Sequence, residues 1–113
     1  MNGSDLPGSL QRLSWESPVE PSSAAVAERL RAEGVDPYSW SNGPGDRYAP
    51  HTHAYTKLLM CATGSITFLV GEGEDRVELR PGQGFVLPPN TAHAAIVGPD
   101  GCTCLEGHRV GAR

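Results

Sequence analysis

The 113-residue sequence lacks any long hydrophobic run. No apolar stretch approaches the roughly 18 residues that a membrane-spanning helix requires, so we expect no membrane segment. The N-terminus also lacks a basic flank followed by an apolar stretch, and we therefore expect no signal peptide. The cysteines form no disulfide framework, which indicates a reducing compartment, so we expect a cytoplasmic location.

Cysteine and lysine are scarce. Three cysteines, two of them in Cys102-Thr103-Cys104, do not form a disulfide framework, so we expect free, buried thiols. The formal net charge is −4, which argues against the basic surface that nucleic-acid binding needs. Eight of the nine basic residues are arginine, and the single lysine is Lys57.

Glycine and proline are abundant by contrast, with 14 and 10 residues. Many of them stand between short segments of alternating hydrophobicity, which is typical of an all-β domain. We predict strands over residues 38–41, 47–53, 57–62, 65–70, 76–80, 84–87, 92–97 and 102–108.

The N-terminal third divides into two further segments. Residues 1–21 are rich in Pro, Gly, Ser and Asp and predict a poorly ordered arm, or alternatively an arm that packs on the main domain or on a partner subunit. Residues 22–36 predict one short helix with a linker, because Ser22 can cap it and Gly34 suits its end. The β domain then takes up residues 37–113.

Three histidines are the candidate metal ligands. In an extended strand His51 and His53 lie on the same face, because side chains alternate with a period of two. His93 lies forty residues further on, in a second turn-and-strand segment. Imidazoles from two strands can meet at one transition-metal ion, and three protein ligands leave a coordination position open.

The spacing around these histidines resembles the two motifs of the cupins. The first motif matches at Gly45, His51, His53 and Gly64, with Lys57 where the family normally has glutamate. The second motif matches at Gly82, Pro88 and His93, with Asn90 where glycine is usual and Val97 where asparagine is usual. Asparagine tolerates the positive φ that such a turn requires, so we expect the turn to survive.

The resemblance implies a double-stranded β-helix, or jelly-roll, barrel with one short N-terminal helix before it. It implies a metal held by His51, His53 and His93, and cupins often form dimers, so we expect a homodimer. The donor set suits zinc, iron or nickel, with copper as a further option. The ligand is expected to be a small, anionic molecule, because the glutamate that would offset the metal charge is missing.

Lys57 leaves three alternatives open. A dication ~5 Å from its amine would repel the ammonium by about 6–7 kcal/mol at an effective dielectric constant of ~20. Either the amine is close and neutral, in which case it is a candidate catalytic base or nucleophile, or it is charged and turned away, or no metal binds. Pairing with a carboxylate such as Glu106 or Asp46 is the simplest structural role.

Arg47 and Tyr55 are the candidate substrate-binding residues. Arg47 has the same strand parity as His51 and would be able to hold a carboxylate, although it can equally be a solvated strand residue. Regular alternation would then turn Tyr48 to the other face.

Three functions remain open from the sequence. The first is a metal-dependent enzyme acting on a small anionic metabolite, such as a dioxygenase, an isomerase or a decarboxylase. The second is a binding or sensing barrel without catalysis. The third is a metal-free barrel in which Lys57 marks the loss of the metal site. The fold alone does not choose between them.

Overall fold

The computed structural model describes residues 10–109 of the chain. Within that range the chain forms one helix and seven strands. Their bounds are β1 Gln11–Leu13, α1 Ser23–Ala32, β2 Tyr38–Asn42, β3 Arg47–His51, β4 Thr56–Val70, β5 Asp75–Leu79, β6 Gly84–Leu87 and β7 His93–Arg109. No helix in this part of the chain has the length and apolar character that crossing a membrane requires. The mainly β class with one short helix is confirmed.

The seven strands form one antiparallel sheet. Its main path runs in the order β1-β6-β4-β7-β2, while β3 also pairs with β7 and β5 with β4. The two longest strands, β4 and β7, pair along their whole length, from Thr56 opposite Arg109 to Val70 opposite His93. Every other strand except β1 pairs with one of these two.

Alternation along β4 separates two hydrophobic cores. Leu59 and Cys61 contribute to the first core with Phe68 and Phe85. Leu58 and Met60 point to the other face of the same strand and pack in the second core with helix α1. Both cores are fully buried here, which is the result expected when apolar residues occupy both parities of a strand.

Helix α1 begins and ends as the sequence predicts. The hydroxyl of Ser22 accepts a hydrogen bond of 3.1 Å from the backbone N–H of Ala25, which satisfies one of the free donors at the helix start. Val26 and Leu30, one turn apart, are completely buried against the barrel.

Residues 10–21 of the predicted arm contact the barrel. Strand β1 pairs with β6 from Gln11 opposite Val86 to Leu13 opposite Gly84. Leu13 is only 1% exposed and packs in the core beneath α1, so this part of the arm lies on the barrel, as in the alternative above. Residues 1–9 lie outside the described range, and the division of the chain into three segments stays a prediction.

Two pairs of predicted strands are in fact two long strands. Residues 57–62 and 65–70 join into β4, and residues 92–97 and 102–108 join into β7. The predicted breaks between these strands, at residues 63–64 and 98–101, are therefore bends within strands. Register shifts on either side of Gly64 mark these bends, because an extra residue in one strand bends it locally.

The bend at Gly64 has no room for a side chain. Its φ is +72°, and a Cβ atom there would lie 2.0 Å from the carbonyl oxygen of Gly101. A straight strand as long as β4 would span about 45 Å, whereas the longest extent of the molecule is 36 Å. The bend is thus what folds the two long strands back on themselves.

We predict that Gly64→Ala destabilises the fold far more than Gly34→Ala. Both glycines have positive φ, which costs alanine about 1–2 kcal/mol, but a Cβ at Gly34 would have no atom within 4 Å. The backbone collision at Gly64 adds a packing penalty of about 1–3 kcal/mol. Urea unfolding of both variants measures the difference, and equal losses would show that the bend does not constrain the fold.

Candidate metal centre

Strand pairing brings two of the three predicted ligands together. His51 ends β3 and lies directly opposite His93, the first residue of β7. His53 follows just beyond β3, in a segment fixed by a hydrogen bond of 2.7 Å from the backbone N–H of Asn90 to the carbonyl of His53. Asn90 has φ +60°, the positive value that its motif position predicted.

The three imidazoles form a compact cluster. The ring centroids of His51 and His93 lie 4.3 Å apart, and those of His53 lie 4.8 Å from His51 and 5.1 Å from His93. One ring nitrogen from each histidine falls within 4.8 Å of the other two. The sequence predicted this grouping, and the structure brings all three residues together.

Backbone carbonyls orient two of the three rings. Nδ1–H of His51 donates to the carbonyl of Ala49 at 2.8 Å, and Nδ1–H of His93 donates to the carbonyl of Thr91 at 2.9 Å. Each bond leaves Nε2 as the nitrogen that offers a lone pair to the cluster. Metal-binding histidines usually make this kind of hydrogen bond through their second nitrogen.

His93 provides the test of whether a metal fits. Its Nε2 is buried and has no hydrogen-bond partner. Burial lowers the pKa of His93 to about 4, although the bond to Thr91 acts in the opposite direction. The ring is therefore neutral at pH 7, and a buried lone pair without a partner is costly unless a cation or a donor meets it. A transition-metal ion fits this donor set.

The third ring, that of His53, is held by two side chains. The amine of Lys57 lies 3.3 Å from Nε2, and the hydroxyl of Tyr55 lies 3.1 Å from Nδ1. Because an ammonium only donates, Nε2 accepts from Lys57 and Nδ1–H donates to Tyr55. Burial, with the nearby charge of Lys57, lowers the pKa of His53. Lys57 thus lies on the lone pair that a metal would use.

Lys57 is paired with Glu106 and not with Asp46. The Lys57 amine lies 3.5 Å from Oε2 of Glu106, and both side chains are almost completely buried. Asp46 instead accepts a hydrogen bond of 2.8 Å from the backbone N–H of Gly43. Glu106 stands two positions before His108, the residue that lies opposite Lys57 on β7.

Glu106 is the residue of the site whose importance the sequence did not reveal. Its Oε1 accepts from the indole N–H of Trp40 at 2.8 Å, and its Oε2 accepts from the hydroxyl of Tyr38. Nε2 of His108 lies 3.2 Å from the same Oε2. The sequence had indicated it only as one of two carboxylates, with Asp46, that Lys57 could pair with.

The electrostatics of Glu106 follow from these donors. Burial by itself would raise the pKa of this carboxyl, but the hydrogen bond from Tyr38 and the charge of Lys57 lower it below its usual value of 4.5. Glu106 is therefore ionised at neutral pH and balances the Lys57 ammonium. The histidine cluster thus stands beside a neutral ion pair, without the negative charge of a carboxylate ligand.

A cavity of about 190 Å³ opens beside the cluster. Its polar lining consists of His51, Lys57, His93 and Glu106. Its apolar lining consists of Trp40, Tyr48, Phe68, Ala94 and Ala95. A concave, largely apolar site with a few polar groups at one place is the usual form of a small-molecule site.

Arg47 does not line this cavity, which corrects the parity prediction. Pairing runs from Tyr48 opposite Ala95 to His51 opposite His93, so β3 contains one residue more than β7 between these pairs. This bulge changes the parity and brings Tyr48 to the cavity, together with His51. Arg47 is exposed and lines a neighbouring depression that shares Tyr48 and Ala95 with this cavity, so its binding of a carboxylate stays a prediction.

Tyr55 lies next to the cluster but outside the cavity lining. Its ring stacks on His53 at a centroid distance of 4.9 Å and on His108 at 3.9 Å. The geometry gives Tyr55 the role of orienting His53, and its predicted contact with a substrate stays a prediction. The three cysteines are free and buried, as expected.

A model of the AraC-like ligand binding domain family matches residues 34–106. The chain belongs to this family. That stretch of the AraC-like ligand binding domain contains the histidine cluster, Lys57 and Glu106. No curated protein matches the chain.

Solved structures show the fold. An uncharacterised protein with a double-stranded β-helix domain from Klebsiella pneumoniae matches with TM-score 0.59 and 22% identity, over 66% of each chain. YcfD, a ribosomal oxygenase from Escherichia coli solved with cobalt and succinic acid, matches with TM-score 0.64 and 22% identity, over 80% of this chain and 28% of its own.

A third similar structure is described as that of the DMSP lyases RdDddP and RnDddQII. It matches with TM-score 0.57 and 29% identity, over 65% of this chain and 36% of its own. The chain spans less than two thirds of the length of each of these three proteins. The barrel predicted from the cupin motifs is thereby confirmed.

The ionised Glu106 predicts an acid-sensitive fold. Because its folded pKa lies below 4.5, the unfolded chain binds more protons in the window just below 4.5, and stability is lost as the pH falls through that window. Urea unfolding between pH 3 and pH 7 should therefore show a steeper acid loss in the wild type than in Glu106→Gln. Glu78→Gln, at an exposed carboxylate, is the matched control and should keep the wild-type slope. An unchanged slope in Glu106→Gln would contradict the assignment.

Proposed function

We propose that this AraC-like ligand binding domain binds a divalent transition metal through His51, His53 and His93, and binds a small anionic molecule beside it. Zinc, iron and nickel are the candidate metals, and copper is a further option, because three neutral imidazoles suit each of them. The family description supports ligand binding, and the cobalt in the YcfD structure supports a metal in a barrel of this fold.

The observation that carries the proposal is the unpartnered Nε2 of His93. It is buried, it belongs to a neutral ring, and the other two imidazoles surround it. In a barrel without a metal this atom would lose its hydrogen bond to water and gain nothing in exchange. A metal would supply a Lewis-acid centre with an open position for an anion.

Other residues orient the histidine rings and contact the ligand. Ala49 and Thr91 hold the His51 and His93 rings through their carbonyls, and Tyr55 orients His53. The Lys57 ammonium offers a positive charge to an anionic ligand. The apolar walls of the cavity exclude water from the contact between the two, which strengthens it.

A metal-free ligand-binding barrel is the second candidate function. It is favoured by one contact, that of the Lys57 amine with Nε2 of His53 at 3.3 Å. Lys57 already donates to the lone pair on Nε2 of His53. A metal bound by all three histidines would need that lone pair, so the amine would have to move toward Glu106. Failure of the protein to take up zinc would support this candidate.

Catalysis by Lys57 is a further proposal. The amine lines the cavity within reach of a bound molecule, and the similar structures include lyases and an oxygenase. A turnover assay with Lys57→Met tests the role, and unchanged turnover would exclude it.

The oligomeric state, the location and the partners stay predictions. We propose a homodimer and a cytoplasmic location, and we expect that a chain with net charge −4 does not bind nucleic acid. Light scattering measures the oligomeric state, and the mass of a single chain would contradict the homodimer.

We predict that the purified protein binds one zinc ion per chain and that His93→Ala abolishes this binding. Loss of partners outside the coordination shell already costs about 10–100-fold in metal affinity, so loss of a ligand should cost more than about 100-fold. Isothermal titration calorimetry on chelator-treated protein measures the affinity, and added zinc should also raise the unfolding temperature.

The control for this experiment is His108→Ala. His108 is the fourth histidine of the chain and lies outside the cluster. Its removal should leave the zinc stoichiometry at one. Equal zinc affinities for His93→Ala and the wild type would show that the cluster is not the metal site.

A further inference from the structure

The polar groups of the aromatic side chains that line the cavity are already hydrogen-bonded to other residues. The indole N–H of Trp40 donates to Oε1 of Glu106, and the hydroxyl of Tyr48 donates to the side-chain carbonyl of Asn42. These two rings meet edge to face, with centroids 5.8 Å apart. With Phe68 they offer a ligand ring surface and no free hydrogen-bond donor.

The Lys57 ammonium has a hydrogen-bond donor that no described residue accepts from. The Lys57 ammonium has three donors, and the contacts with His53 and Glu106 account for two of them. The third is available to a ligand. That donor can make a charge-assisted hydrogen bond to a carboxylate oxygen, and such a bond is about twice as strong as one between neutral groups.

Glu106 holds both the Trp40 ring of the apolar wall and the Lys57 ammonium. Oε1 holds the Trp40 indole, and Oε2 lies 3.5 Å from the Lys57 amine. Tyr38 and His108 complete its contacts, so this carboxylate is saturated with donors and is not itself a group for binding an anion or a metal. One buried carboxylate thus sets the position of a flat apolar wall relative to a positive charge.

We propose that the cavity selects a small carboxylate with a flat, apolar body, such as a single aromatic ring. The carboxylate would meet Lys57 beside the histidine cluster, and the ring would lie against Trp40, Tyr48 and Phe68. Glu106 is a positioning residue for both halves of the ligand. The presence of a metal in this inference rests on the proposed function. The preference for an aromatic carboxylate rests on Lys57 and on the apolar wall.

The size of the cavity agrees with this ligand class. Apolar cavities of about 150 Å³ bind benzene in proteins. The volume here is about 190 Å³, which has room for one ring with a small anionic group. Ring-to-ring contacts with Trp40 and Phe68 add to the affinity of an aromatic body over that of an open-chain acid.

Three simple probes separate the contribution of the aromatic ring from that of the carboxylate charge. Benzoate has the ring and the charge, acetate has the charge alone, and benzamide has the ring without the charge. Calorimetric titration of the full-length, zinc-loaded protein should show benzoate binding at least about tenfold more tightly than either of the other two. Equal affinities for benzoate and acetate, or for benzoate and benzamide, would overturn the proposal.

Variants assign each preference to its residue. Lys57→Met should abolish the preference for benzoate over benzamide, and Trp40→Leu should abolish the preference for benzoate over acetate. Glu106→Gln should weaken both preferences in a protein that still unfolds cooperatively. Arg80→Met removes an exposed cation that does not line the cavity, and it should change neither preference. Retention of both preferences in Lys57→Met and Trp40→Leu would overturn the assignment.

The failure of this inference differs from the failure of the metal proposal. If zinc binds and the three probes bind equally, the metal proposal stands and the ligand class is wrong. If zinc does not bind, the metal proposal is wrong and the same titrations on the metal-free protein decide the ligand class. Since Lys57 remains in place, benzoate should again bind most tightly, and any other order would overturn the inference.

Discussion

The bend shared by β4 and β7 is the constraint on which the site depends. The two strands pair over their whole length, so in a straight sheet Lys57 and Val70 would lie at opposite ends of β4. The close approach of Gly64 to Gly101 folds both strands back. As a result Lys57 and Glu106 from one end line the same cavity as His93 from the other.

At the end of β4 that carries Lys57, a buried ion pair takes the place of the carboxylate ligand that the cupin motif leads one to expect. Lys57 stands at the position where that motif has glutamate, and Glu106 supplies a carboxylate from the neighbouring strand. The pair is neutral as a whole, so the charge of a bound metal would be balanced by the ligand and not by the protein. An anionic ligand is the natural complement of such a site.

Much of the fold and of the cluster could be predicted from the sequence. Local signals, such as the Ser22 cap, the alternation along β5 and the two motifs with their histidines, each depend on a few neighbouring residues. The bulge between Tyr48 and His51 has no such signal, and it brings Tyr48 to the cavity where regular alternation would have brought Arg47. The pairing of Lys57 with Glu106, 49 positions apart, depends on strand register, which the sequence left open between Glu106 and Asp46.

The central claim is that the three imidazoles hold a metal through their Nε2 atoms. Anomalous diffraction at the zinc absorption edge, from crystals of the zinc-loaded protein, tests it directly. We expect a single peak among His51, His53 and His93 at about 2.0–2.1 Å from each Nε2 atom, with the Lys57 amine moved toward Glu106. A map without a peak at the cluster, with Lys57 still bonded to His53, would contradict the claim.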